Sequence, residues 1–150
     1  MPDRRALTFA NFDEGMPEVE RLLAGHSTVG RWTLGQILYH LATAIRLMTE
    51  GSSASPGRTM PEAIRRRFFR AGRFPEGVEA PLAELLPPPD RDARAEAEAL
   101  RTAIGQFASA TGPFANHPLL GPLTKDEWAR FHCIHCAHHL SFALPDGRTP

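Results

Sequence analysis

The sequence predicts an all-α fold, a helical bundle with long connecting loops. Apolar residues recur at three- and four-residue spacing over five stretches of the 150-residue chain, which is the period of an α-helix. Prolines and glycines cluster between these stretches, and no strand pattern competes with them. Three stretches also open on a capping box, in which paired side chains satisfy the first free amides of a helix. These boxes are Asn11 with Glu14, Thr33 with Gln36, and Thr124 with Glu127.

Five helices are expected within one domain that covers residues 1–150. They span about residues 11–25, 34–50, 61–71 (a short one), 91–110 and 124–142. Pro17 predicts an irregular start of the first helix, and Asp90 is the expected N-cap of the fourth. Residues 72–89 contain many prolines and predict an extended segment held by Leu82, Leu85 and Leu86.

The charge balance of the chain argues against a nucleic-acid-binding protein. Lysines and arginines number 17, as do aspartates and glutamates, so the basic excess of such proteins is missing. Five arginines between residues 65 and 73 surround Phe68 and Phe69, and a solvated helix face with two core residues explains them better than an anion site does. No apolar run reaches membrane-spanning length, and the first residues do not form a signal peptide. With only two cysteines, we expect a cytoplasmic protein with free thiols.

The fifth helix carries four of the seven histidines and both cysteines. A helical period places an aromatic and histidine stripe on one side of it: Trp128, His132, His135, His139 and Phe142. Aromatic residues at both ends indicate that this side is buried. His135 and His139 lie one turn apart, which is the spacing of a metal-ligand pair. Buried imidazoles must be hydrogen-bonded or bind a ligand, because an unpaired polar group inside a protein costs about 1–3 kcal/mol.

His40 is the partner expected from another helix, since it lies between Ile37 and Ala44 on the apolar side of the second helix. Three neutral imidazoles around one cation leave coordination positions for water and substrate, as in catalytic metal sites. A lone inward histidine is more often a core residue, and a His-x-x-x-His pair is common in helices. On the residues alone, metal binding and plain packing therefore remain alternatives.

Four segments cover most of the chain and carry a family resemblance. They are RALTFANF (5–12), RWTLGQILYHLA (31–42), FPEGV (74–78) and HPLLGPLTKDEWARFHCIHCAHHLSFAL (117–144). The chain resembles the DinB/YfiT-like superfamily of proposed metal enzymes, and within it a bacterial subfamily of unknown function. In that superfamily a histidine late in W-[ST]-x-x-x-[IL]-x-x-H-L joins the two histidines of a later His-x-x-x-His. The resemblance thus implies His40, His135 and His139 as ligands of a divalent metal.

The resemblance also implies a DinB-like four-helix bundle with an extra short helix, often dimeric, and some relatives transfer groups using low-molecular-weight thiols. We therefore expect a metal-dependent transferase or hydrolase that acts on a small molecule, and a homodimer. Imidazole suits several transition metals, of which zinc and nickel are the favoured ones here. The alternative is a non-catalytic module that binds metal or functions by dimerisation. Because Cys136 follows His135 where a zincin has glutamate, a peptidase is not expected.

The remaining histidines and the cysteines have open roles. His132 could be a fourth ligand or a rim group, His138 a group at the pocket edge, and His117 could close over the site from its loop. The Cys133–Cys136 pair lies more than two turns inside the helix, where a helix N-terminus cannot acidify it, so we expect half-buried, unreactive thiols. Trp32 is expected to pack rather than to contact a ligand.

Overall fold

The computed structural model describes residues 4–50, 61–74, 83–112, 114–115, 117 and 120–146, and this part of the chain is mostly helical. Its elements in order are α1 (Gly15–Leu23), β1 (His26–Thr28), α2 (Leu34–Glu50), α3 (Glu62–Ala71), α4 (Ala93–Ser109), α5 (Lys125–Leu140) and β2 (Ala143–Pro145). Two 3₁₀ turns, Phe12–Glu14 and Ala83–Leu85, precede α1 and α4. The coarse prediction of a helical protein is confirmed for the described residues.

Helix α2 lies at the centre of the fold because it is apolar on nearly all sides. It packs most extensively along α4 and also contacts α5, while α1 contacts both α4 and α5. The core consists of apolar side chains from these four helices, including Val19, Leu22, Leu38, Leu41, Ile45, Leu100, Phe107, Trp128 and Leu140. Gly35, in the first turn of α2, permits the close approach of α4, since a β-carbon there would lie 2.1 Å from the carbonyl oxygen of Arg91.

The predicted helix starts are confirmed at α2 and α5 and altered at α1 and α4. Both capping boxes at α2 and α5 form as expected. Asn11 caps the 3₁₀ turn by accepting from the Asp13 amide, so α1 begins irregularly, as Pro17 indicated. The prediction of Asp90 as the cap of α4 is wrong. Asp92 accepts from the Ala95 amide instead, because Arg91 is held against α2 and pairs with Glu96.

The absence of strands was also wrongly predicted. β1 and β2 pair antiparallel with His26 opposite Pro145 and Thr28 opposite Ala143. Each strand has only three residues, which is too short for the alternation of polar and apolar side chains to be visible in the sequence. The pairing joins the loop after α1 to the segment after α5.

The N-terminal arm lies beside the C-terminal end of α5, whereas α3 contacts its N-terminal half through Phe68 with Phe131 and Phe69 with Arg130. The Arg5 amide donates to the Ser141 carbonyl at 2.9 Å. On α3, Phe68 and Phe69 are half-buried against the core, whereas most of its arginines are exposed, as predicted. Gly72 caps the end of α3, and its φ of 66° lies in the left-handed region that glycine adopts without strain.

The extended segment before α4 is described only from residue 83 onward. Leu85 is buried there, as predicted, but Leu86 is 60% exposed and does not act as an anchor. Leu82 lies outside the described residues. Among the described helices, none is both long and apolar enough to span a lipid bilayer.

Candidate metal centre

Three histidines from two helices meet where α2 and α5 pack. His40 is supplied by the middle of α2, and His135 and His139 by successive turns of α5. The Nε2 atoms of His40 and His135 are 3.0 Å apart. One nitrogen from each of the three rings can be chosen so that all lie within 4.8 Å of one another. The three predicted residues are thus brought together.

A backbone contact fixes which nitrogen of His40 faces the cluster. Its Nδ1 lies 2.8 Å from the carbonyl oxygen of Leu85. A carbonyl oxygen only accepts hydrogen bonds, so Nδ1 carries the proton and donates it. In the neutral ring, Nε2 then presents its lone pair to His135. A donor hydrogen bond from the far ring nitrogen to a carbonyl is the usual support of a metal-ligating histidine.

Burial keeps the three imidazoles neutral. Desolvation is the main cause that lowers the pKa of His40, although its bond to Leu85 acts in the opposite direction. Burial, reinforced by the neighbouring histidines, places the pKa of His135 well below its ordinary value. The pKa of His139 falls to about 2 through burial and then through His40, His138 and Arg4. Neutral imidazole is the form that binds metal ions.

The donor set fits a divalent transition metal. Zinc–nitrogen bonds are about 2.0–2.1 Å long, so two imidazole nitrogens on one tetrahedral ion lie roughly 3.3 Å apart. The 3.0 Å between His40 and His135 is close to this value. The widest separation of 4.8 Å is larger, so a bound ion would draw at least one ring inward. Three nitrogen donors, with no fourth protein ligand among the described residues, are typical of an open site.

Aromatic rings enclose two sides of the cluster. Trp32 stacks on His139 with ring centroids 5.6 Å apart and also contacts His40 at 5.0 Å. Phe74 lies 5.2 Å from both His135 and His138. Trp32 is therefore a wall of the site as well as a packing residue, which the sequence interpretation missed. His40 and His135 are buried but His139 is only half-buried, so the site opens to solvent beside His139.

Arg4 and His138 border this open side. The Arg4 guanidinium lies 5.0 Å over the Phe142 ring, and its Nη1 is 3.4 Å from Nδ1 of His138. The His138 ring is 4.8 Å from that of His139. His138 thus lies next to the cluster, which is compatible with the edge position expected for it, and Arg4 is a further group that sequence reasoning did not single out.

His132 belongs to a separate aromatic cluster one turn below. Its ring stacks between Phe12 and Trp128 and meets the edge of Phe107. The side chain is fully buried, and neither ring nitrogen has a hydrogen-bond partner within the described part of the chain. Burial, followed by the effect of His117, lowers its pKa to about 3. His132 is not one of the three clustered histidines.

His117 and the cysteines also lie outside the cluster. Nδ1 of His117 accepts from the Leu120 amide, and its ring packs on Trp128 and Phe131 rather than over the site. Both cysteines are buried free thiols. Burial raises the pKa of Cys133 to about 11 and raises that of Cys136 further, so both remain protonated and unreactive at neutral pH. The expectation of half-buried thiols is wrong, because both lie on the buried side of α5, while their raised pKa accords with the expected lack of reactivity.

The fold and the cluster together define a mostly helical protein with a three-histidine group that could hold a metal ion. The chain belongs to the family described as protein of unknown function (DUF1569), whose sequence pattern matches residues 1–146. No curated protein and no solved structure matches it.

Proposed function

We propose that this protein is a metal-dependent enzyme in which His40, His135 and His139 hold one divalent ion, zinc or nickel in the first instance. The observation that carries the proposal is the convergence of three neutral imidazoles, one of them oriented by the carbonyl of Leu85. Without an ion, the 3.0 Å between the two Nε2 atoms also fits a hydrogen bond from His135 to His40, but such a bond involves two of the three rings. An ion would account for the convergence of all three.

The proposed reaction is group transfer to, or hydrolysis of, a small electrophile, with a low-molecular-weight thiol as a candidate co-substrate. A bound divalent ion supplies Lewis acidity and lowers the pKa of water or a thiol. The chain's own residues orient and shield the reactants. The hydrogen bond from His40 to Leu85 holds the ring in place, Trp32 and Phe74 exclude water from two sides, and the half-buried side of His139 admits the substrate.

Fold family and assembly are part of the same proposal. We place the chain in the DinB/YfiT-like superfamily, with α1, α2, α4 and α5 as a four-helix bundle and α3 as the extra short helix, in a single domain spanning residues 1–150. The packing of α2 on α4 and α5, and of α1 on both, supports this arrangement. A cytoplasmic homodimer is part of this proposal, and the zero formal charge supports its further element, the lack of nucleic-acid partners.

Metal analysis of purified protein tests the site. We expect close to one equivalent of metal in the wild type and a large loss in His40→Ala. His26→Ala is the matched control, because the His26 ring bonds to the carbonyl of Leu22 and lies outside the cluster. It should retain the metal. Near-stoichiometric metal in His40→Ala would remove that residue from the site and contradict the proposal.

A non-catalytic metal-binding module is the second candidate. In the described residues, the ionisable neighbours that act on the pKa of His135 and His139 are histidines and Arg4, and no carboxylate is among them to transfer protons. This observation favours a structural ion. If chelation lowers the melting temperature sharply while thiol and ester substrates remain unchanged by the loaded protein, the second candidate is supported.

A further inference from the structure

Helix α3 is attached to the rest of the fold along one narrow face. None of its ten residues is buried, and only Arg65, Phe68 and Phe69 are half-buried. Two hydrogen bonds to backbone carbonyls supplement this packing. Arg65 Nη1 donates to Pro122 at 2.9 Å, and Arg130 Nη2, on α5, donates to Phe69 at 2.8 Å. Segments with so little buried apolar surface open at a lower free energy than the fold as a whole.

Helix α3 would not persist after such an opening. It has ten residues, and an isolated helix shorter than about 12–15 residues is marginal in water. The residue before it, Pro61, offers no side-chain hydrogen bond to the first free amides. The helix is therefore maintained by its attachment to the rest of the fold, and loss of that attachment should release and unfold it as a unit.

The contacts of α3 extend to the three-histidine cluster. Two phenylalanine rings pack on His135: the centroid of Phe74 lies 5.2 Å from it and that of Phe131 lies 5.4 Å from it. Phe68 of α3 contacts both of these rings, each at 5.9 Å. Release of α3 would therefore remove Phe68 from both rings and draw Phe74, which follows the helix closely in the chain, away from His135.

We propose that α3 and Phe74 form a gate over the metal site, which opens by release from α5 and sets the rates at which an ion enters and leaves. This inference rests on the proposed metal site. Half-buried His139 can meet an arriving ion first, but His40 and His135 are buried, so delivery to all three requires the surrounding rings to move. Because α3 supplies none of the three imidazoles, its release should change both rates by the same factor and leave the affinity unchanged.

Four variants test the gate: Phe68→Ala, Phe68→Leu, Arg130→Ala and Phe114→Ala. Arg130→Ala removes the hydrogen bond to Phe69 from an exposed position, so it weakens the attachment of α3 without disturbing the core. Phe114→Ala is the matched control, because Phe114 is half-buried like Phe68 but packs on Phe107. Amide hydrogen exchange of the metal-free protein measures the opening of α3. Stopped-flow uptake of zinc, and release of zinc to a chelator, measure the two rates.

We expect Phe68→Ala to raise the exchange of the α3 amides by about tenfold or more, the factor expected when a half-buried ring is lost, and to leave the amides of α2 and α4 unchanged. Zinc uptake and zinc release should both accelerate by a similar factor, with the affinity for zinc unchanged. Arg130→Ala should show the same pattern to a smaller extent, and Phe68→Leu should recover part of the change. Phe114→Ala should keep the α3 exchange and both zinc rates of wild type.

The failures are distinguishable. If wild type takes up no zinc, the proposed function fails and the inference with it. If zinc binds, and the α3 amides of Phe68→Ala and Arg130→Ala exchange faster while both zinc rates stay as in wild type, the metal site stands and the gate is overturned. The gate is also overturned if only zinc release accelerates, because a lower affinity then explains the change, or if Phe114→Ala accelerates both zinc rates equally well.

Discussion

Replacing His132 with leucine should make the stability of the fold less sensitive to acid. His132 is fully buried between aromatic rings, and its pKa falls from 6.5 to about 3 in the folded protein. Below pH 6.5 the unfolded chain therefore binds a proton at His132 that the folded chain does not. The unfolding free energy is thus unaffected by His132 above that pH and decreases as the pH falls below it. With these two pKa values, His132 alone removes about 2 kcal/mol of unfolding free energy between about pH 7.5 and about pH 5.

Urea unfolding of the metal-free protein at several pH values measures this effect. His117 also has a lowered pKa, about 4, but it is present in both proteins, so the difference between wild type and His132→Leu reports His132 together with its interaction with His117. The variant should gain about 2 kcal/mol relative to wild type over the interval, whatever its stability at pH 7.5. Leu100→Val, a buried change on α4, should shift stability equally at every pH. Parallel curves for wild type and His132→Leu would refute the reasoning.

Two further predictions concern helix geometry and are measured by urea unfolding at neutral pH. Gly35→Ala should lower the unfolding free energy by about 1–3 kcal/mol, because the new β-carbon meets the Arg91 backbone. Gly105→Ala, where a β-carbon meets nothing within 4 Å, should raise the unfolding free energy by about 0.5–1 kcal/mol. If the two alanine variants changed the unfolding free energy equally, α2 and α4 would not be in close approach. Thr124→Ala should cost about 1 kcal/mol by removing the capping box of α5, whereas the exposed Thr102→Ala should stay within about 0.5 kcal/mol of wild type. A Thr124→Ala variant as stable as Thr102→Ala would speak against the cap.

Sequence patterns correctly predicted the features that a single helix determines by itself. The span of α2 agrees with the apolar period from Leu34 to Glu50, and the capping boxes at Thr33 and Thr124 mark true helix starts. The same period placed His135 and His139 on one face. The position of α4 was less certain, since Asp90 and Asp92 are equally good caps in isolation and only contact with α2 decides between them.

Features that depend on distant segments were not visible in the sequence. The acceptor for His40 is a backbone carbonyl, that of Leu85, and any residue type would supply one. Trp32 has the composition of a packing residue whether or not a ligand site adjoins it. The pairing of β1 with β2 joins segments from opposite ends of the chain, and three-residue strands leave no period to detect.

The same pairing has a consequence for the end of α5. The last turn of a helix ordinarily frays, and His139 precedes the final residue of this one. Here the next residues are tied by three separate attachments: Arg5 to Ser141, Val29 to Phe142, and β1 to β2. The amides of this turn should therefore exchange with solvent as slowly as those of the helix interior. The N-terminal region thus holds the backbone at His139 rigid. The position of this histidine therefore depends on contacts between the two ends of the chain.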